Sequence, residues 1–218
     1  MRTRGYLLGL VLASVALVGG PAGTRVRTPK SLESAVLAEI NFARTQPAAY
    51  ARRLRGGERS DDRRRDRYEE GDYGYGERSY GERLDRGYGG SAREEAIDFL
   101  SRQRPLRALN DSRGLSSAAA RLAYEQARSG RVGHTSALRE RAEAHGVWSG
   151  MVAETISYGM TTPAAVVQQL IIDEGVADRG HREVLFDRSL SVAGVGCGPH
   201  RTWGYMCVID FAGAVVRR

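Results

Sequence analysis

Ser191-Val192-Ala193-Gly194-Val195-Gly196 and Tyr205-Met206-Cys207-Val208-Ile209-Asp210-Phe211 are the stretches whose reading decides the fold. Each is short, and the second sets Met206, Val208 and Phe211 among smaller residues, so both read as strands. Between them, Gly198-Pro199-His200-Arg201-Thr202-Trp203-Gly204 is rich in turn formers and is flanked by Cys197 and Cys207. A hairpin stapled by one disulfide follows, stabilised by roughly 2–3 kcal/mol for so short a loop. The alternative is two free buried thiols. Two cysteines with no neighbouring Cys or His pair do not make a structural zinc site.

Upstream the period changes from two to that of a helix. Leu32, Val36, Leu37, Ile40 and Ala43 recur at helical spacing over residues 31–54, with Ser31 or Ser34 to cap the start and Pro47 to break or kink it. Glu94 to Gln103 is a short helix ended by Pro105. A longer one spans about 113–129, capped by Asp111 or Ser112, with Leu115, Ala118, Ala119, Leu122, Ala123 and Ala127 as its apolar content and Gly130 as its stop. Thr161 or Thr162 caps another, with Pro163 in its first turn and Val166, Val167, Leu170 and Ile171 facing inward. Helices over the first two-thirds and strands at the end give an α+β domain, with helices packed on a small sheet.

Residues 55–92 differ in kind. Between Arg52 and Arg93, 12 arginines face 10 acids, and Leu84 is the sole large aliphatic residue between Leu54 and Ile97. Such a segment buries too little apolar surface to offset its ordering entropy. It reads as a disordered polyampholyte inserted at 55–92 into a single domain spanning 23–218. Its bland role is a solvated loop. Its sharper role is an interaction segment acting through Arg–Tyr contacts at Tyr68, Tyr73, Tyr75, Tyr80 and Tyr88.

The N-terminus stands apart. Arg2 and Arg4 precede an apolar run from Tyr6 to Val18, and Gly20-Pro21-Ala22 offers small residues for cleavage. Residues 1–22 therefore read as a secretory signal peptide, shorter than the about 20 apolar residues of a membrane span. The protein is expected to be secreted or extracytoplasmic. Retention at the membrane by an uncleaved signal is the alternative. No other segment could span a membrane. The formal charge of +7 falls to +5 without the two signal arginines, a mild bias suited to acidic envelope surfaces. Export and the near charge balance of the insert argue against nucleic acid as partner.

The candidate chemistry sits on Gly133-His134-Thr135, Ala153-Glu154-Thr155, Asp173-Glu174-Gly175 and Arg179-Gly180-His181-Arg182. Glu154 lies among Val152, Ala153 and Ile156, so it is expected to be partly buried and to need a cation or hydrogen bonds. Asp173 and Glu174 close the helix that starts near Thr162, where the dipole disfavours carboxylates, so a metal or His181 is expected to compensate. Two neutral histidines with one or two carboxylates suit zinc with a position left for water. His145 and His200 have no carboxylate motif around them and read as surface residues. No HExxH, nucleophile elbow or phosphate-cradling loop is present in the sequence.

Together these segments resemble the CAP superfamily of cysteine-rich secretory, antigen 5 and pathogenesis-related proteins, in its bacterial SCP-like extracellular form. The likeness is carried by Val36-Leu37-Ala38-Glu39-Ile40-Asn41-Phe42-Ala43-Arg44, Gly133-His134-Thr135, Ala153 to Gly159, Asp173 to Val176, Arg179 to Arg182, Gly194 to His200 and Met206 to Gly213. It implies an α-β-α sandwich with a small antiparallel sheet between helices. It also implies a cavity lined by His134, His181, Glu154 and either Asp173 or Glu174. A divalent cation, zinc foremost, between the histidines, and lipid, sterol-like or cell-envelope ligands, are implied by the same resemblance. The sequence departs from the family at Thr155, where Asn is common, and at Arg182-Glu183-Val184, where Arg-Lys-Asn is common. It also lacks a tryptophan on the helix before Asp173. Three functions follow: an exported module binding a metal or small apolar ligand without established catalysis, a metal-assisted hydrolase with Glu154 activating water, and an envelope interaction protein acting through the insert. Catalysis is the lesser expectation.

Overall fold

The computed structural model describes residues 31–65 and 89–216; the expected signal segment and residues 66–88 of the insert lie outside the described residues. In chain order the elements are α1 (Leu32–Thr45), α2 (Pro47–Arg65), α3 (Gly89–Arg102), β1 (Asn110–Asp111), α4 (Arg113–Ser129), α5 (Leu138–Glu143), β2 (Val147–Tyr158), α6 (Pro163–Ile172), α7 (Gly180–Leu185), β3 (Val192–His200) and β4 (Gly204–Val216). The helical backbone thus runs into both ends of the segment expected to be disordered, through 55–65 in α2 and 89–92 in α3.

The four strands lie in the order β1-β3-β4-β2. β3 pairs with β4 and β4 with β2, both antiparallel, while β1 adds two parallel residues beside β3. The sheet is therefore mixed at one edge. The strand period of two sorts side chains onto its faces. Ala193, Val195, Cys207, Ile209 and Phe211 face α1, α2, α3 and α6 in the larger core, with Tyr50, Leu54, Leu100, Leu170 and Leu185. Met206 and Val208 on β4 and Ile156 on β2 face α4 on the other side, with Leu122 and Ala123. This is the α-β-α sandwich, and helix cover on both faces leaves β3 and β4 apolar on both sides.

Two local devices fix the layers. A Cβ at Gly196 would lie 2.2 Å from the backbone N of Ala120, so glycine there lets α4 sit directly on β3. Arg44, 1% exposed, threads from α1 to donate to the carbonyls of Arg107 at 3.2 Å, Leu185 at 2.6 Å, Asp187 at 3.1 Å and Leu190 at 3.3 Å. Asn41 exchanges hydrogen bonds with the backbone of Leu109, at 3.0 Å and 2.7 Å. Asn41 and Arg44 of the α1 motif thus fasten the helix to two later segments, the one before β1 and the one before β3. Cys197 and Cys207 are directly opposed on β3 and β4 and form the disulfide. No helix among the described residues is long and apolar enough to cross a membrane.

Candidate functional site

The site forms where the loop after α4 meets β2 and the start of α7. Ser112 caps α4 through its hydroxyl, and Gly130 ends it in the left-handed region, φ 71°. The chain then turns through Gly133, φ 86°, to present His134. This loop is tied down by residues that the sequence did not mark. Gln126, 3% exposed, donates to the Gly133 carbonyl at 2.7 Å. The Gly133 N–H donates to the Tyr158 hydroxyl at 2.8 Å, which donates in turn to Gln126 at 2.6 Å. His200 donates from Nε2 to the Arg131 carbonyl at 2.9 Å. Its Nδ1 accepts the N–H groups of Thr202 and Trp203, each at 3.2 Å. His200 is therefore a buried structural residue, not the surface residue expected. Its partners are backbone groups, which carry no side-chain signature in the sequence.

His134 Nδ1 lies 2.8 Å from Glu154 Oε1. The Glu154 carboxylate is 1% exposed, and its other oxygen receives Nη2 of Arg141 on α5. Arg141 also donates to the Thr135 hydroxyl at 2.6 Å, so α5 braces both sides of His134. The Glu154 hydrogen bond, against partial burial, holds the His134 imidazole above its ordinary value. Beneath the pair lies Asp210, opposite Glu154 in the β2–β4 register and wholly buried. Neither Asp210 oxygen finds a hydrogen-bond donor. Burial first, then the negative charge of Glu154, push its carboxyl up to about 8, with Arg141 opposing. The neutral, protonated form of Asp210 is thus the one its surroundings favour.

The second half of the site belongs to the α6–α7 connection. Asp173, φ 54°, ends α6 and turns its carboxylate onto α7, where Oδ1 meets His181 Nδ1 at 2.6 Å and Oδ2 accepts the His181 N–H at 2.9 Å. The charge disfavoured by the dipole of α6 is satisfied by the groups that open α7, so His181 supplies the expected compensation. Asp173, rather than Glu174, faces the histidine. Glu174 follows it half-buried and acts electrostatically on Arg179.

The two imidazoles stand with ring centroids 6.2 Å apart and planes inclined by 34°. His134 is 53% exposed and His181 25%, so the pair is open to solvent. A carboxylate only accepts, so each Nδ1 carries a proton, and in the neutral form of either imidazole the lone pair sits on Nε2. Glu154 and Asp173 orient the histidines and are occupied in doing so. Among the described residues, no group of three or more His, Cys, Asp or Glu is arranged to hold a metal ion. A separate groove of about 410 Å³ runs between α4 and β3, lined by Ala120, Ala123, Tyr124, Ala127 and Pro199. Neither histidine lines it.

A two-layer helix cover over a hairpin sheet, with paired His–carboxylate couples at one end, defines a small α+β domain. The family model described as CAP, the cysteine-rich secretory protein family, matches residues 64–211, and the chain belongs to that family. No curated protein matches the chain. Among solved structures it is similar to an outer surface protein of Borrelia burgdorferi, 16% identical over 49% of this chain and 78% of that one, TM-score 0.42. It is also similar to an extracellular protein containing a SCP domain from Bacillus anthracis, 17% identical over 57% of this chain and 39% of that one, TM-score 0.42. A cysteine-rich secretory protein from Staphylococcus aureus is 18% identical over 49% of this chain and 32% of that one, TM-score 0.38. The chain spans well under half the length of the last two.

Proposed function

We propose that this protein is an exported binding module in which His134 and His181 together hold a divalent cation, zinc by donor type. One observation carries this reading: two solvent-open imidazoles, 6.2 Å apart, each with its Nδ1 taken by a buried carboxylate. Carboxylate behind imidazole is the arrangement that orients a metal-binding histidine and raises its basicity. Two imidazoles on one tetrahedral zinc put their ring centroids about 5 Å apart, since Zn–N is about 2.0–2.1 Å. The pair stands about 1 Å wider than that separation, so binding requires the two rings to close by that amount. A bound cation would supply Lewis acidity and a site for an anionic or carbonyl oxygen.

The hydrolase reading is less well supported. Its candidate base, Glu154, has one oxygen on His134 and the other on Arg141, so neither is free to take a proton from water. The family's secretory character and the apolar N-terminal run support export.

The test is calorimetric titration of Zn²⁺ into the metal-stripped protein beside His134→Ala/His181→Ala. One-site binding abolished in the double variant is the expected result. No binding, or binding equal in both proteins, would overturn the proposal.

A further inference from the structure

We infer that Glu95, on α3, is a positioning residue for His181, an assignment that rests on reading His134 and His181 as the binding site. His181 opens α7, a helix of six residues that cannot hold its own place. The segment leading to it carries left-handed backbone at two non-glycine residues, Asp173 with φ 54° and Arg179 with φ 53°. Such conformations persist where the surroundings over-determine them.

Here the surroundings are two arginines that bracket Gly180-His181. Arg179 donates from Nη1 to the carbonyls of Asp173 at 2.7 Å and Val176 at 3.0 Å. Arg182 donates to the carbonyls of Ile171 at 2.6 Å and Ile172 at 3.1 Å. Between them they tie the last carbonyls of α6 and the turn beyond it. They sit three residues apart, and Arg182 is 3% exposed with its guanidinium 5.5 Å from the Phe99 ring centroid. Two neighbouring cations, one of them buried, need an anion.

Glu95 is that anion. Its Oε2 accepts Nε and Nη2 of Arg179 at 3.0 and 2.9 Å, and its Oε1 accepts Nη1 of Arg182 at 2.8 Å. Both oxygens are used, one on each arginine. Those contacts hold the carboxyl below the usual carboxylate range. Glu95 touches neither imidazole in any of its contacts. It acts on His181 through the guanidinia on either side, from a helix more than eighty residues away in sequence. The Asp173 and Glu174 charges also bear on Arg179, and Glu95 joins the two arginines directly.

The experiment compares wild type with Glu95→Gln, full chain, metal-stripped. The hydrogen-bonded imidazole N–H resonances are followed by proton NMR and assigned with His134→Ala and His181→Ala. The expected result is that Glu95→Gln broadens or removes the His181 resonance and leaves that of His134 in place. Zinc affinity by calorimetry is expected to fall about 10-fold, as for other losses behind a liganding histidine. An unchanged His181 resonance would overturn the inference. So would equal change at both histidines, which a merely structural loss would give, or a wild-type His181 lacking the signal. Should Glu95→Gln not fold, Arg179→Lys, which keeps the charge and loses the double contact, is judged by the same resonances. Absence of zinc binding in wild type defeats the binding proposal alone, because the NMR comparison needs no metal.

Discussion

Replacing Asp210 with Asn tests whether the acid beneath Glu154 is protonated in the native protein. Burial and the Glu154 charge push its carboxyl up from the ordinary 3.8 to about 8. Between those values the folded chain keeps a proton that the unfolded chain has released. Stability therefore falls as pH rises through this window and levels off above the folded value. A gap of about 4 at about 1.4 kcal/mol per pH unit sets an upper figure of roughly 6 kcal/mol. Residual structure in the unfolded chain trims this to a working range of roughly 3–5 kcal/mol, against a whole-domain stability of about 5–15 kcal/mol. Asn cannot ionise, and its amide meets the same donor-poor surroundings at every pH. Its fixed cost cancels when the two proteins are compared across pH. Urea unfolding at pH 4 and pH 8 should show Asp210→Asn gaining roughly 3–5 kcal/mol relative to wild type on going to the higher pH. Curves that stay parallel would refute the reasoning. They would mean that Asp210 is ionised and shares Arg141 with Glu154.

Three further outcomes follow, two at His134 and one at Gly196. His134 titrates above its ordinary value, and its doubly protonated form has no Nε2 lone pair. Zinc affinity should therefore drop as pH falls through that raised value, by calorimetry at stepped pH, and a pH-independent affinity would count against His134 as a ligand. Without metal the sign reverses. The Glu154 contact contributes stability that is full below the ordinary histidine value of about 6.5 and is lost as pH rises through the folded one. At Gly196, Ala would place its Cβ 2.2 Å from the Ala120 backbone. Since α4 must shift to admit it, Gly196→Ala should cost about 3 kcal/mol or more, lowering the melting midpoint by roughly 6–12 °C in a thermal scan. A loss within about 1 °C would show that α4 does not rest on β3 as described.

Much of the frame was legible because its signals are local. Ser112 and Gly130 bound α4, Thr162 and Pro163 open α6, and the change of period at Ser191 marks the final hairpin. β2 was harder. Glu154, Thr155 and Ser157 are all buried polar residues, so the alternation that marks a strand is blurred by chemistry on both faces. The extent of α2 and α3 was missed because their outer ends are rich in charge and glycine, without an apolar stripe to show the period. The histidines and Glu154 stood out beside glycines in the sequence. The choice between Asp173 and Glu174 needed the left-handed turn that aims one carboxylate back at α7. Asp210 was hidden inside an apolar strand, and Glu95 acts only through contacts made across the fold.

Arginine content connects these points. Lys30 is the only lysine in the chain, so nearly all of its positive charge is guanidinium. Read as composition this is a mild surface bias. In the fold, Arg44, Arg141 and Arg182 are each under 5% exposed. Arg44 donates to four backbone carbonyls, Arg182 to two and to Glu95, and Arg141 to Glu154 and Thr135. Lysine offers three donors from one atom and could not span carbonyls on separate loops, whereas the planar guanidinium offers five in a fixed fork. Each buried arginine therefore does the joining that a larger apolar core would otherwise supply, between α1 and the β3 entry, between α5 and β2, and between α6 and α7. The second and third of those joints are where His134 and His181 stand. The placement of the histidine pair is thus tied to buried guanidinia.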